Sequence, residues 1–296
     1  MRRREFIKLV CSSAAAWPLA ARAQTDSPLI TRAIPSSGER LPAVGLGTAR
    51  VFDRADDATR QKAAAVLQAL IAKGARLIDT ASSYGDAETV LGDVIASTAL
   101  RDKFFIATKL EQPDATELKR SLARLKTANV DLLQLHNVRN PRQSLSQFKD
   151  WKAQGMCRYI GITSTFHGDF AAVEAVLARE KPDFVQIDYS LEDRTVENRI
   201  LPLASEVKAG VLTALPFGRA RLFRAVRGME IPEWGRTFAA SWAQFFLKYL
   251  LSDPRVTAVI PGTSNPAHMT DNLGAMRGAL PDSDQRRRMV TFIDAL

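Results

Sequence analysis

Four titratable side chains stand at, or just after, the ends of apolar runs. Asp79 closes "RLID", Tyr84 follows across a short loop in "TASSYGDAE", Lys109 closes "FFIATK" and His136 closes "DLLQLH". A phenol titrates near pH ~10 in water and is a poor proton donor, but an ammonium beside it favours the phenolate and lowers that value. A carboxylate beside the ammonium offsets the cost of burying its charge. An imidazole adds a group that exchanges protons near neutral pH. Brought together, the four would handle a proton at an oxygen without a metal ion. Each also has a plain structural use when alone: Asp caps helices, His fills cores, Lys lies on surfaces.

Strands alternating with helices are what would position them. Besides the run ending at Gly45-Leu46-Gly47 and "RLID" (76–79), strands are expected at 104–109, 131–136, 159–163, 184–188, 210–215 and 258–262. Between them, segments near 58–73, 87–97, 116–126, 143–154, 169–179, 196–209 and 236–251 have helical or mixed patterning, and a last helix starts at about 283. Asp57 is the expected N-cap of the first helix, with Gly74 after its end. Asp86 is placed to cap the second, whose Val90, Leu91, Val94 and Ile95 make one apolar stripe for the sheet. Ahead of these, "LITRAIPSSGERLPAVGLG" reads as a β-hairpin turning at Ser36-Ser37-Gly38.

Most of the eight parallel-strand candidates are continuous apolar runs, as expected for strands covered on both faces. The expected fold class is α/β, a (β/α)8 TIM barrel with an N-terminal β-hairpin and a C-terminal extra helix. An open Rossmann sheet is the alternative, and no GxGxxG follows an early strand. In closed barrels, active sites gather at the carboxyl ends of the strands, and that rule selects Asp79, Tyr84, Lys109 and His136 together.

The chain holds 41 Lys and Arg against 32 Asp and Glu, a formal charge of +9, in a composition that is 46% hydrophobic. Those values are ordinary for a globular protein, and no low-complexity linker divides the chain. Its first residues, "MRRREFIKLVCSSAAAWPLAARAQ", place a basic cluster before a short apolar run and small residues around Ala21-Arg22-Ala23. Within them Arg3-Arg4-Glu5-Phe6-Ile7-Lys8 resembles the twin-arginine signal, so the twin-arginine export machinery is an expected partner and the periplasm the expected location. Residues 1–23 are then a cleaved signal peptide, Gln24 the mature N-terminus and 24–296 one barrel domain.

Removing Arg2, Arg3, Arg4, Lys8 and Arg22 with Glu5 lowers the formal charge from +9 to +5, so no nucleic-acid partner is expected. The apolar run is too short for a confident membrane span, and Val10 before Cys11 lacks the small residue of a lipoprotein cleavage box. No stable membrane anchor is expected. Cys157 would be the one cysteine of the mature chain, which rules out an intramolecular disulfide.

"LPAVGLGTA", "GARLIDTASSYGDAE", "FFIATKL", "LLQLH", "IGITS", "VQIDYS" and "VIPGTSNPAHMTDNL" occur in order along residues 29–280, and the set resembles the aldo-keto reductase family. The resemblance implies reduction of a small-molecule carbonyl substrate, aldehyde or ketone, with a catalytic tetrad at Asp79, Tyr84, Lys109 and His136. It implies NADPH as cofactor, with NADH an alternative. A nicotinamide would supply hydride to the carbonyl carbon and Tyr84 a proton to the oxygen. Lys109 would lower the Tyr84 pKa, Asp79 would hold Lys109, and His136 would orient the carbonyl.

For the cofactor, the resemblance implies carboxamide contacts from Thr163, Ser164 and Gln186. It implies pyrophosphate contacts from Phe217, Gly218 and Arg219 in "TALPFGRARLF". Contacts to the adenosine end fall to Gly262, Thr263, His268, Asp271 and Asn272. This sequence departs from the family in two places: Ala214 stands where an aromatic ring usually stacks under the nicotinamide, and Gly262 and His268 replace the Lys and Arg that often meet a 2′-phosphate. Val51, Phe52, Glu111, Asn137 and Arg139 are candidates for the substrate wall, and the chain end at Leu296 leads to an expectation of an open pocket. Two other readings stay open at this point: a nicotinamide-binding redox sensor or partner-binding barrel with little turnover, and a lyase or isomerase on the same barrel.

Overall fold

The computed structural model describes residues 27–296. The expected signal peptide lies outside them. A hairpin comes first, β1 (Thr31–Ala33) antiparallel to β2 (Arg40–Pro42), with its turn at Ser36-Ser37-Gly38 and Gly38 at a φ of +78°.

Eight parallel strands follow in chain order: β3 (Leu46–Gly47), β4 (Leu77–Asp79), β5 (Phe105–Leu110), β6 (Val130–Leu135), β7 (Cys157–Ser164), β8 (Phe184–Asp188), β9 (Gly210–Ala214) and β10 (Ala258–Val259). Each pairs with the next. The first and last are joined by Gly45 N–H to Val259 O at 2.8 Å, Gly47 N–H to Pro261 O at 3.0 Å and Val259 N–H to Ala43 O at 2.9 Å. The sheet is therefore closed, as the strand count led one to expect, and no open Rossmann edge remains.

Period-two alternation along each strand sorts the side chains. Phe105 and Ala107 of β5 point into the barrel with Leu77, Leu132, Phe184 and Leu212, while Ile106 and Leu110 point out to the helices. Ile34 and Leu41 of the hairpin join the interior cluster and plug the end where the strands begin. One step further along the same inward rows come Asp79, Lys109, Gln134 and Gln186, all buried. The barrel interior is thus apolar at one end and polar at the other, and the polar layer lies where the strands finish. Gly161 leaves room there: a Cβ at that position would stand 3.0 Å from Gln134 Cγ.

Helices cover the outside. The first, α1 (Asp57–Ala72), is capped by Asp56, whose carboxylate accepts the Thr59 N–H at 2.8 Å. The expected cap, Asp57, is the first helical residue instead. The second, α2 (Ala87–Thr98), buries Val90, Leu91, Val94 and Ile95 against the sheet as its stripe predicted. Its Asp86 makes no cap bond and accepts the Ala55 N–H at 3.0 Å, tying two loops of the barrel mouth together.

Further helices occupy Ala115–Arg124, Ser146–Ala153, Phe170–Glu180 and Ile200–Glu206. The segment expected as one helix over 236–251 is broken: Glu233–Arg236 ends early and Trp242–Leu251 starts afresh, with the Ser241 hydroxyl accepting the Gln244 N–H at 3.1 Å. A short helix, Arg221–Ala225, precedes both. Pro266–Gly274 follows β10, and the extra C-terminal helix runs over Ser283–Asp294 behind an Asp282–Gln285 capping box. No helix among the described residues is long and apolar enough to cross a membrane.

Candidate active site

The loop from Thr80 to Asp86 carries Tyr84 to the barrel mouth. Its backbone is pinned on two sides: Ser82 N–H donates to Lys109 O at 3.0 Å and Asp86 N–H to Asp53 O at 3.3 Å. Gly85 sits between at a φ of +54°, where a Cβ would stand 2.8 Å from Asp53 O, so only glycine fits without a shift. His136 follows β6 and is held by its N–H to Leu110 O at 2.8 Å.

These supports bring the four strand-end residues together. Lys109 Nζ lies 2.7 Å from Asp79 Oδ2, 2.8 Å from Thr80 O and 4.9 Å from the centre of the Tyr84 ring. The Tyr84 and His136 rings meet edge to face with centroids 5.7 Å apart. Asp79 is steadied by two amides, Gln186 Nε2 at 3.4 Å and Gln134 Nε2 at 3.5 Å, and Gln134 also donates to Gln186 Oε1 at 3.0 Å. Gln134 was not among the candidates. The available signal was an amide inside the otherwise apolar "DLLQLH", two residues before His136 and hence on the same face.

Burial pulls the Lys109 ammonium down, but the Asp79 carboxylate and the Tyr84 oxygen outweigh it and leave the pKa above its ordinary value. Burial pushes the Tyr84 phenol up by more than Lys109 pulls it down, and Asp79 adds to the rise. The net direction for Tyr84 is thus opposite to the lowering expected from Lys109 alone: the hydroxyl keeps its proton at neutral pH. For His136, burial and then Lys109 lower the pKa, with Glu111 opposing them. Glu111 Oε1 stands 2.5 Å from His136 Nδ1, a partnership with no counterpart in its expected place on the substrate wall.

A cavity of about 1120 Å³ opens above this cluster. Besides the four residues it is lined by Thr163, Gln186, Phe217, Arg219, Gly262, Thr263, His268, Asp271 and Asn272, so nine of the eleven candidate cofactor residues share one wall with the tetrad. Ser164 is not on it: the hydroxyl donates to Asp169 Oδ2 at 2.8 Å and accepts the Phe166 N–H at 3.2 Å. Gly218 is not on it either, because its missing Cβ points at the Glu192 carboxylate. Val51 and Asn137 do line the cavity. Phe52 is fully buried in the core, and the Arg139 guanidinium lies 5.6 Å over the Phe166 ring. Ala214 borders the cavity with no ring. The rings on that wall are Phe217, Phe223 and Trp242, with Phe217 and Phe223 centroids 4.8 Å apart.

The donor set suits a dinucleotide. Leu215, Gly218, Arg219 and Ala220 all have positive φ, and the backbone N–H groups of Phe217, Arg219 and Ala220 have no protein acceptor among the described residues. A run of left-handed residues with free N–H groups forms a concavity for an anion. Across the cavity, the Pro266–Gly274 helix begins beside Thr263, with Asn265 Oδ1 accepting the Ala267 N–H at 2.9 Å.

Known proteins share this architecture. The Escherichia coli methylglyoxal reductase YeaE is 28% identical over 257 residues, 82% of this chain and 88% of that one. An aldo-keto reductase of Mycolicibacterium smegmatis is 32% identical over 251 residues, 79% of this chain and 81% of its own. A Klebsiella pneumoniae aldo/keto reductase solved with NADP and acetate superposes with a TM-score of 0.75 at 25% identity, covering 88% of this chain and 95% of that one. The sequence model of the Aldo/keto reductase family matches residues 43–288, and the chain belongs to that family.

Proposed function

We propose that the protein reduces an aldehyde or ketone to an alcohol with NADPH or NADH, Tyr84 giving the proton. The observation that carries this is Tyr84 standing beside a buried Lys109–Asp79 pair at the base of a cavity of about 1120 Å³. Bound nicotinamide would supply the hydride. The chain's own part is to hold and move one proton: Tyr84 donates it to the developing alkoxide, and the Lys109 ammonium steadies the phenolate left behind. Asp79, fixed by Gln134 and Gln186, keeps that ammonium charged and aimed.

Thr163 and Gln186 are the groups for the carboxamide. The free N–H groups after β9, with Arg219, suit the pyrophosphate, and Thr263, His268, Asp271 and Asn272 the adenosine end. NADPH is the proposed preference, supported by the NADP in the Klebsiella pneumoniae relative. Oxidation of NADPH and of NADH, followed by absorbance on a panel of small carbonyls that includes methylglyoxal, tests the proposal. Turnover that consumes one nucleotide per alcohol formed supports it, and a panel with no consumption overturns it. Ala214, which leaves the expected stacking position empty, favours a second reading: a nicotinamide-binding barrel with little turnover. Nucleotide binding without consumption would select it.

Export through the twin-arginine route to the periplasm, with cleavage near Ala23, belongs to the same proposal and rests on the Arg3-Arg4 run and the small residues before Gln24. A folded barrel is the cargo that route takes. Periplasmic recovery of the wild type, lost on changing Arg3 and Arg4 to Lys, supports it; cytoplasmic retention of the wild type overturns it.

A further inference from the structure

Glu111 lies one residue beyond β5 and accepts hydrogen bonds from three directions. Its Oε1 receives the Ser83 hydroxyl at 2.8 Å and stands 2.5 Å from His136 Nδ1, and its Oε2 lies 3.5 Å from Asn137 Nδ2. Burial raises its pKa, but these hydrogen bonds and the charge of His136 overcome that and leave it below its ordinary value. It is a carboxylate at neutral pH and has only acceptors to offer. The proton between the two must therefore sit on His136 Nδ1.

We propose that Glu111 is a positioning residue that locks neutral His136 in the Nδ1–H form, so that Nε2 faces the cavity as an acceptor and donates to a substrate oxygen only when the ring is an imidazolium. The assignment rests on the carbonyl-reducing reading for its kinetic arm, and on the apo protein alone for its spectroscopic arm. A neutral ring with a bare Nε2 cannot orient a carbonyl by donating to it. It can accept from an alcohol or from a hydroxyl beside the carbonyl. Reduction and alcohol oxidation thus draw on different protonation states of the same ring.

The charged and titratable groups around His136 are Lys109 and Glu111 from the β5 row, Asp79 from β4 and Tyr84 from the adjoining loop. Lys109 disfavours the imidazolium, and Glu111 and Asp79 favour it. Above the His136 titration the imidazolium is lost, and kcat/KM for reduction then falls by up to about tenfold per pH unit.

The test uses four proteins. In the wild type, nitrogen-15 NMR of the apo protein, with His136 assigned by its loss in His136→Asn, is expected to show the Nδ1–H tautomer above the titration. Glu111→Ala is expected to return the ring to the Nε2–H tautomer that free histidine prefers, and to abolish the fall of kcat/KM with pH, because a neutral donor then faces the substrate. Glu111→Gln loses the charge that favours the imidazolium, so any fall that remains moves to lower pH. The Glu111 side chain is 43% exposed, and circular dichroism is to be used to check that each variant is folded. An Nε2–H ring in the wild type overturns the proposal, as does a Glu111→Ala profile that superposes on the wild type. If the wild type reduces no carbonyl, the proposed function fails, and the tautomer measurement still decides the role of Glu111.

Discussion

Lys109 places its ammonium 2.7 Å from the Asp79 carboxylate with neither side chain more than 4% exposed. Taking two charges out of water is costly, and the pair stands only because each satisfies the other and Thr80 O and two glutamines satisfy the remainder. Removing one partner leaves a bare buried charge. Lys109→Met is expected to destabilise the fold by about 3–5 kcal/mol in urea unfolding, and the double variant Asp79→Asn with Lys109→Met by less than the sum of the two singles. Strict additivity would show that the pair is not coupled.

A second buried lysine lacks such a partner. Lys248 donates to Arg277 O at 2.6 Å and Ala279 O at 2.9 Å, with no carboxylate bridge among the described residues, and burial pulls its pKa down to about 8. From about 8 to the ordinary 10.5 the unfolded chain holds this proton and the folded chain does not, so stability rises with pH across that window. Below it both states are protonated and the burial cost stands in full. Urea midpoints of wild type and Lys248→Met, compared at neutral pH and near the top of the window, should show the wild type gaining relative to the variant. Parallel pH curves would contradict this.

Ala214 gives a direct probe of the nicotinamide's seat. Introducing a ring by Ala214→Tyr is expected to tighten nucleotide binding by about 1 kcal/mol, roughly fivefold in Kd, read by quenching of intrinsic fluorescence. Weaker binding would mean that Phe217 or its neighbours already fill that space.

Cys157 opens β7 and is buried, which pushes its thiol up to about 12. The thiolate is the reactive form, so Cys157 should resist an alkylating reagent at pH 8 in the native protein and react only when it is unfolded. Labelling of Cys157 in the native state at the rate of free cysteine would contradict the burial described for β7.

Much of this was legible in the sequence because apolar runs and strand ends are local signals. Asp79, Lys109 and His136 were found by standing where such runs stop, and the barrel by the count of runs. What escaped depends on partners distant in the chain. Glu111 reads in the sequence as a candidate for the substrate wall, and only the placement of β6 puts His136 beside it. The direction of the Tyr84 shift turned on burial by the assembled barrel mouth, which a single loop does not announce. The break between Arg236 and Trp242 was hidden because both pieces have helical composition, and only the Ser241 cap divides them. Ser164 and Gly218 were placed on the cofactor wall by motif, and their local hydrogen bonding and backbone turn them elsewhere.

In the proposed reaction Tyr84 delivers the proton from within a nucleotide-binding barrel. Tyr84→Phe removes one oxygen and leaves the ring that packs beside His136 and Lys109. The decisive measurement is steady-state carbonyl reduction by wild type and Tyr84→Phe, with NADPH Kd determined for both. A loss of kcat of about 10²–10⁴-fold with Kd unchanged is expected. Equal turnover by the two proteins would contradict it.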